Sequence, residues 1–223
     1  MSLLASFRLV LAPPHPAGRP FIVGGVVVAA AGLLVSPILS AVGAVFALFC
    51  LYFFRDPERV PPGREGLVVA PADGHVVLVG PAVPPVELGL GEAPRMRVAI
   101  FLSVLDVHVN RMPVTGTVTR IAYHHGQFLN ASVDKASELN ERNALAVRLP
   151  DGRDLAVVQI AGLIARRILC YAKEGEAFVA GDRFGIIRFG SRTDIYLPPG
   201  VSSLVEVGQT MIGGETVIAE LGA

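Results

Sequence analysis

The chain contains no tryptophan, two cysteines and, among nineteen basic residues, two lysines, Lys135 and Lys173. Cys50 and Cys170 stand far apart, one of them inside an apolar run, so neither a disulfide framework nor a zinc site of ordinary spacing is encoded. Both thiols are expected reduced, with no metal bound. Nineteen acidic residues balance the nineteen basic ones, and this zero net charge excludes an overall field that would draw nucleic acid. Neither G-x-S-x-G nor G-x-x-x-x-G-K-[ST] occurs, which removes the α/β-hydrolase elbow and the phosphate loop from consideration. Neither lysine has a methionine beside it, so a biotin or lipoate carrier lacks its attachment residue.

What is abundant is apolar surface: 52% of residues are hydrophobic. From Phe21 to Phe54 the chain carries no charge, and these 34 residues exceed the roughly 20 that cross a bilayer as one helix while falling short of two comfortable crossings. Ser36-Pro37 divides the run, because proline removes a helix donor and forces the residue before it out of the α region. A helical hairpin with both ends on one side is the preferred reading, with a tilted single span as the alternative. Arg8 and Arg19 precede the run and Arg55 and Arg59 follow it, which favours both ends in the cytoplasm. A secretory signal is excluded by the length of the run and by the absence of an A-x-A site after it. Residues 1–54 are therefore expected to form a helical segment in the cell membrane, holding residues 55–223 against its cytoplasmic surface.

After Phe54 short apolar runs alternate with Gly, Pro and Asp, and "GLVVAPADGHVVLVG", "MRVAIFLSVLDVHVNRMPVTGTVTRIAYH", "ALAVRLPDGRDLAVVQIAG", "RRILCYAKEGEAFVAGDRFGIIRF", "TDIYLP" and "SLVEVGQTMIGGETVIAEL" read as β-strands joined by turns. The expected class is α+β: a predominantly antiparallel β domain preceded by the helical membrane hairpin. Residues 130–143, "NASVDKASELNERN", are polar and poor in β-branched side chains, and are expected to form a short helix or loop that covers a site.

Candidate chemistry is confined to polar residues at strand ends. On a period of two, Asp106, His108 and Asn110 share one strand face, a row able to position a proton shuttle, although a solvated face has the same pattern. Asp73 precedes Gly74, a pair that also makes a hairpin turn. Adjacent His124 and His125 point to opposite faces of a strand and do not share a metal. Gly190-Ser191 at a strand entrance is, by itself, a turn signal.

Six blocks, "FFRDPER", "APADG", "DVHVNRMPVTG", "FLNASVDKASELNERN", "VQIAGLIARRI" and "RFGSRTDIYLP", lie in this order between residues 53 and 198. Together they resemble the short form of phosphatidylserine decarboxylase, a pyruvoyl-dependent membrane enzyme. The resemblance implies a proenzyme that cuts itself between Gly190 and Ser191, giving chains of residues 1–190 and 191–223 that stay together as a heterodimer, with homo-oligomerisation left open. It implies that Ser191 becomes a covalent pyruvoyl group, the cofactor, which forms a Schiff base with the amine of phosphatidylserine in the membrane. Asp73 matches the family's acid and His108 a histidine linked to decarboxylation. Two departures matter: the longer form has a second histidine where this chain has Arg111, and it has Leu-Gly-Ser-Thr where this chain has Phe189-Gly190-Ser191-Arg192. The base for self-cleavage is thereby left between His108 alone and a group oriented by Asp73. Lys135, Arg142 and Asn143 are candidates for the lipid phosphate. The alternative from another class is a membrane-tethered β domain that binds lipid or a protein without chemistry.

Overall fold

The computed structural model describes residues 12–126, 140–162, 167–188 and 190–222. The chain divides into two compact units, Met1–Glu58 and Arg59–Ala223.

In the first unit, α1 (Arg19–Val35) and α2 (Pro37–Phe53) are separated by Ser36 alone. Ser36 is extended, with φ −162° and ψ 129°, as the following proline requires, and Pro37 then starts α2 where its missing N–H costs nothing. Glycines bring the two backbones into contact: a Cβ on Gly25 would meet Ala47, one on Gly32 would meet Ser40, and one on Gly43 would meet Ala29. These partners run in opposite directions along the chain, so the helices form an antiparallel hairpin closed by small residues. Its two ends are tied by the Pro14–Arg55 bridge and by His15 N–H donating to the Phe54 carbonyl at 2.7 Å. The 20 residues Pro16–Val35 are long and apolar enough to cross a membrane, whereas α2, at 17 residues, is about 25 Å long and shorter than a typical hydrocarbon core.

The second unit is antiparallel β. Its strands are β1 (Leu67–Val69), β2 (Gly74–Ala82), β3 (Arg95–Leu102), β4 (Val109–Arg111), β5 (Gly116–His124), β6 (Arg142–Arg148), β7 (Asp154–Ala161), β8 (Ile168–Cys170), β9 (Ala177–Phe178), β10 (Arg183–Ile187), β11 (Ser191–Tyr196), β12 (Thr210–Met211) and β13 (Val217–Glu220). Eight of them form one sheet in the order β12-β2-β3-β11-β7-β6-β5-β9; β4-β10-β8 and β1-β13 form two smaller ones. Strand β11, though late in sequence, is central, lying between β3 and β7.

Burial follows from that place. Every residue of β11 is buried, so it lacks the half-wet alternation of an outer strand. One face of the large sheet carries the main core, including Val98, Ile100, Leu145, Val157 and Ile195. The other packs Ala144, Ala156, Val158, Ile160 and Tyr196 under Leu88. Two expectations are corrected here. Arg142 and Asn143 belong to strand β6, where they pair with Ile160 and Gln159, and not to the polar covering segment. Asp73-Gly74 is not a hairpin turn, since β1 pairs with β13 while β2 pairs with β3 and β12.

Candidate active site

Ser191 opens β11 in register with Leu102 on one side and Ala161 on the other, and it is fully buried. Its Oγ has no hydrogen-bond partner among the described residues. A buried hydroxyl left unpaired costs roughly 1–3 kcal/mol, so the fold sustains this one against a penalty. Gly190, just before it, has φ +72°, in the left-handed region that glycine alone enters freely.

His108 meets this junction from the small sheet. Its ring is completely buried, and the Gly190 N–H donates to His108 Nε2 at 3.2 Å, while Nδ1 lies 3.0 Å from the Asp106 carbonyl oxygen. Because that carbonyl can only accept, Nδ1 carries the proton and Nε2 presents its lone pair to the residue that holds the Gly190 carbonyl. The expected strand-face row is thus realised differently. Asp106 precedes β4, its carboxylate accepts from Ser103 N–H at 2.7 Å, and it is the Asp106 peptide oxygen that orients the imidazole.

A chain of buried amides ties β4, which directly follows His108, to the sheet carrying Ser191. Asn143 Nδ2 donates to Gln159 Oε1 at 3.0 Å, and Gln159 Nε2 donates to Asn110 Oδ1 at 2.8 Å. Gln159 faces Thr193 across the β7–β11 ladder, two residues from the Ser191–Ala161 pair, just as Asn110 lies two residues from His108. Among the described residues Thr193 Oγ1 and Asn110 Nδ2 are, like Ser191 Oγ, buried without a partner. Cys170 lies at the far end of this chain, where burial pushes its thiol up and keeps it protonated.

The opposite face of β11 is ionic. Arg192 is fully buried and grips Asp194 with both arms of its fork, Nε to Oδ1 at 2.6 Å and Nη2 to Oδ2 at 2.7 Å; Arg97 Nη1 stands 3.7 Å from the same carboxylate. Such a charge is tolerated only because it is paired. Beside it, burial first and then the Asp194 charge push the Tyr196 hydroxyl up to about 12.

Asp73 precedes β2 at the same end of the large sheet. Gly74 pairs with Met211 and lies one register step from the His75–Phe101 pair, hence in the row of Leu102 and Ser191. Two strand spacings, about 10 Å, separate Gly74 from Ser191. The Asp73 carboxylate accepts from Arg59 Nη2 at 2.6 Å and from Gly213 N–H at 2.8 Å. Arg111, at the end of β4, is buried and donates to the Gly181 carbonyl at 2.9 Å.

Arg142 lies in the same cross-strand row as Ile160 and Arg192, on the face away from Ser191, and is ion-paired with Glu87 at 2.8 Å. Asn143 is turned into the core, on Gln159. Lys135 lies outside the described residues. Sequence reasoning missed Gln159, Thr193 and the Arg192–Asp194 fork. The signal for the first was a single amide inside the apolar run "LAVVQIA". A cavity of about 750 Å³ elsewhere in this unit, lined by Pro61, Leu67, Leu149, Arg153 and Leu221 among others, contains none of these groups.

Residues 46–219 match the family model described as Phosphatidylserine decarboxylase. A protein of Granulibacter bethesdensis named Phosphatidylserine decarboxylase proenzyme is 73% identical over 99% of this chain and 91% of its own length. Proteins with that same name from Gluconacetobacter diazotrophicus and Gluconobacter oxydans are 66% and 60% identical, each over 99% of this chain and the whole of the relative.

Proposed function

The chain belongs to the phosphatidylserine decarboxylase family, and from that premise we propose that it is a self-processing enzyme that removes CO₂ from the serine headgroup of phosphatidylserine, using a pyruvoyl group made from Ser191. The observation that carries this reading is the junction itself: a buried unpartnered serine hydroxyl, a left-handed glycine before it and an imidazole lone pair 3.2 Å from the Gly190 nitrogen.

Those groups fit the chemistry of making the cofactor. Ser191 Oγ attacks the Gly190 carbonyl carbon; the Gly190–Ser191 C–N bond breaks, the hydroxyl proton passes to the departing nitrogen, and an ester replaces the amide. Glycine leaves the carbonyl open to attack and holds the strained φ. Removal of the residue-191 α-proton then breaks the Cβ–Oγ bond and frees the Gly190 carboxylate. The resulting enamine tautomerises, and water releases its nitrogen as ammonia. His108 Nε2 is the base in reach of this junction, oriented by Asp106, which answers for the replacement of the second histidine by Arg111. Asp73 holds Arg59 and the chain at Gly213, and so fixes the neighbouring strand end.

The pyruvoyl ketone would supply an electrophile that condenses with the substrate amine and takes up the electron pair left by departing CO₂. Around it, the chain's own residues exclude water, through the burial of β11, and keep a neutral imidazole available for proton transfer. Residues 1–190 and 191–223 remain associated because β11 hydrogen-bonds to β3 and β7 of the other product along its whole length. The apolar hairpin holds the catalytic unit on the cytoplasmic face of the membrane, where a two-tailed substrate resides.

Intact-mass measurement of the purified full chain tests the proposal. Two products are expected, the smaller spanning residues 191–223 with a ketone at its first residue. Ser191→Ala should give one uncut chain without decarboxylase activity, and His108→Ala should slow cutting by about 10²–10⁴-fold. A Ser191→Ala protein that still decarboxylates the lipid refutes the mechanism.

A further inference from the structure

Two turns leave the large sheet at the end that holds Ser191, and both carry exposed apolar side chains. Strand β3 reaches Leu102, in register with Ser191, and continues into residues 103–106; β12 reaches Met211, in register with Gly74 of the same row, and continues into residues 212–216. Val104 and Leu105 in the first turn are 37% and 61% exposed, and Ile212 in the second is 40% exposed. Two strand spacings, about 10 Å, separate the turns. Beside the second, Val60 is exposed too, and its N–H donates to Glu215 Oε1 at 3.0 Å. Val104 Cγ1 lies 4.0 Å from where a Cβ on Gly190 would stand, so the first turn borders the proposed cleavage junction.

Single exposed apolar residues are ordinary on a protein surface. What sets these turns apart is the backbone beneath them. In the first, Ser103 N–H donates to Asp106 Oδ2 at 2.7 Å, Asp106 N–H to the Ser103 carbonyl at 3.0 Å and Leu105 N–H to Ser103 Oγ at 3.3 Å. The carboxylate of that turn is thereby folded back onto its own backbone. In the second, Ile212 N–H donates to Thr216 Oγ1 at 2.9 Å and Gly213 N–H to Asp73 Oδ1 at 2.8 Å. Gly214 N–H meets the Ala70 carbonyl at 2.8 Å, and Glu215 N–H the Ile212 carbonyl at 3.0 Å. An unmet N–H is costly in an apolar phase, and these donors are met within the protein. The chain also enters this unit here. Arg59, its first residue, is ion-paired at 2.6 Å with Asp73, next to Gly74, and the charge-free run Phe21–Phe54 ends five positions earlier.

We infer that the turns 103–106 and 212–216 form a lipid-contacting rim, which dips Val104, Leu105 and Ile212 into the boundary between headgroups and acyl chains and so holds residue 191 at headgroup level. This rests on the reading of the chain as a membrane-held enzyme acting on phosphatidylserine. A bilayer is the occupant that the chemistry favours: apolar side chains on a satisfied backbone ask for no specific polar contact, and a substrate whose two tails stay in the bilayer presents its amine at that depth.

The chain has no tryptophan, so each of L105W, I212W and V83W carries a single indole. Val83, 45% exposed, follows Ala82, about 25 Å along β2 from Gly74, and serves as the control. The full chain is reconstituted into phosphatidylcholine vesicles with or without bromine on the acyl chains, and flotation verifies that it is vesicle-bound. Bromolipid should quench L105W and I212W roughly twofold or more and leave V83W nearly unchanged. Quenching of neither turn, of one turn only, or of all three positions alike overturns the rim. L105W emission that shifts to the blue with protein concentration in the absence of vesicles assigns the turn to a second copy of the chain, and also overturns it. Kinetics give a second readout. The L105Q/I212Q double variant, with complete cutting verified by intact mass, should turn over phosphatidylserine in vesicles roughly 10-fold more slowly, yet stay within about twofold of wild type on a short-chain phosphatidylserine dispersed as monomers. Equal losses on both substrates, or unchanged turnover in vesicles, overturn the rim. A wild-type chain that does not float with vesicles, or floats but is neither cut nor active, fails at the reading beneath, which separates that failure from this one.

Discussion

Replacing Gly190 by alanine separates conformation from space at the proposed cleavage junction. Glycine at φ +72° pays no steric cost, whereas a Cβ in the left-handed region costs an L-residue about 1–2 kcal/mol. Among the described residues room is not the obstacle: the nearest atom to a Cβ built on Gly190 is Val104 Cγ1, at 4.0 Å, an ordinary contact. The whole penalty therefore falls on the backbone, and the chain relieves it by leaving the conformation in which Gly190 N–H meets His108 Nε2 at 3.2 Å. At about 1.4 kcal/mol per factor of ten, the competent population drops roughly 5- to 30-fold. Gly190→Ala should slow self-cutting by that factor, measured as loss of full-length chain over time on denaturing gels or by intact mass. Gly190→Asn should be cut faster than the alanine variant, since asparagine tolerates the left-handed region better. Cutting of the alanine variant at the wild-type rate would show that this φ is irrelevant. A loss beyond about 10³-fold, or asparagine slower than alanine, would show that bulk rather than backbone geometry is decisive.

Other perturbations probe the supports of the site. Asp194→Leu leaves the Arg192 guanidinium buried without its partner, and should destabilise the full chain by about 3–5 kcal/mol in urea unfolding. Adding Arg192→Leu should recover part of that loss, Arg97 remaining beside the site; equal stability of the single and double variants would refute the pairing argument. Gln159→Leu strands Asn110 Oδ1 and Asn143 Nδ2, each worth about 1–3 kcal/mol. It should lower the unfolding midpoint and slow cutting together, because β4, which directly follows His108, is then no longer tied to the sheet carrying Ser191. Unchanged cutting by a measurably destabilised Gln159→Leu chain would remove Gln159 from the positioning of the base.

Much of this protein was legible in one dimension. Charge-free text over 34 residues, broken once by Ser36-Pro37, contained the helical hairpin, because proline geometry is local. Short apolar runs with Gly and Asp punctuation contained the antiparallel strands, and the Gly-Ser pair marked the start of β11. Local rules also misled: the period-two row from Asp106 to Asn110 assumed a strand that begins only at Val109, and the polar text running into Arg142 and Asn143 hid a strand whose partners lie far along the chain.

Tertiary structure decided whatever depends on which strands become neighbours. Placing β11 between β3 and β7 buries both of its faces, so Ser191 and Thr193 look into one core and Arg192 and Asp194 into the other. Sequence spacing cannot state that, because the pairing energy of a strand resides in partners 30 to 99 residues away. The meeting of His108 with Gly190, 82 positions apart, is of the same kind: residue type determined that an imidazole and a strained glycine were available, and only the packing of the small sheet on the large one brought them to 3.2 Å.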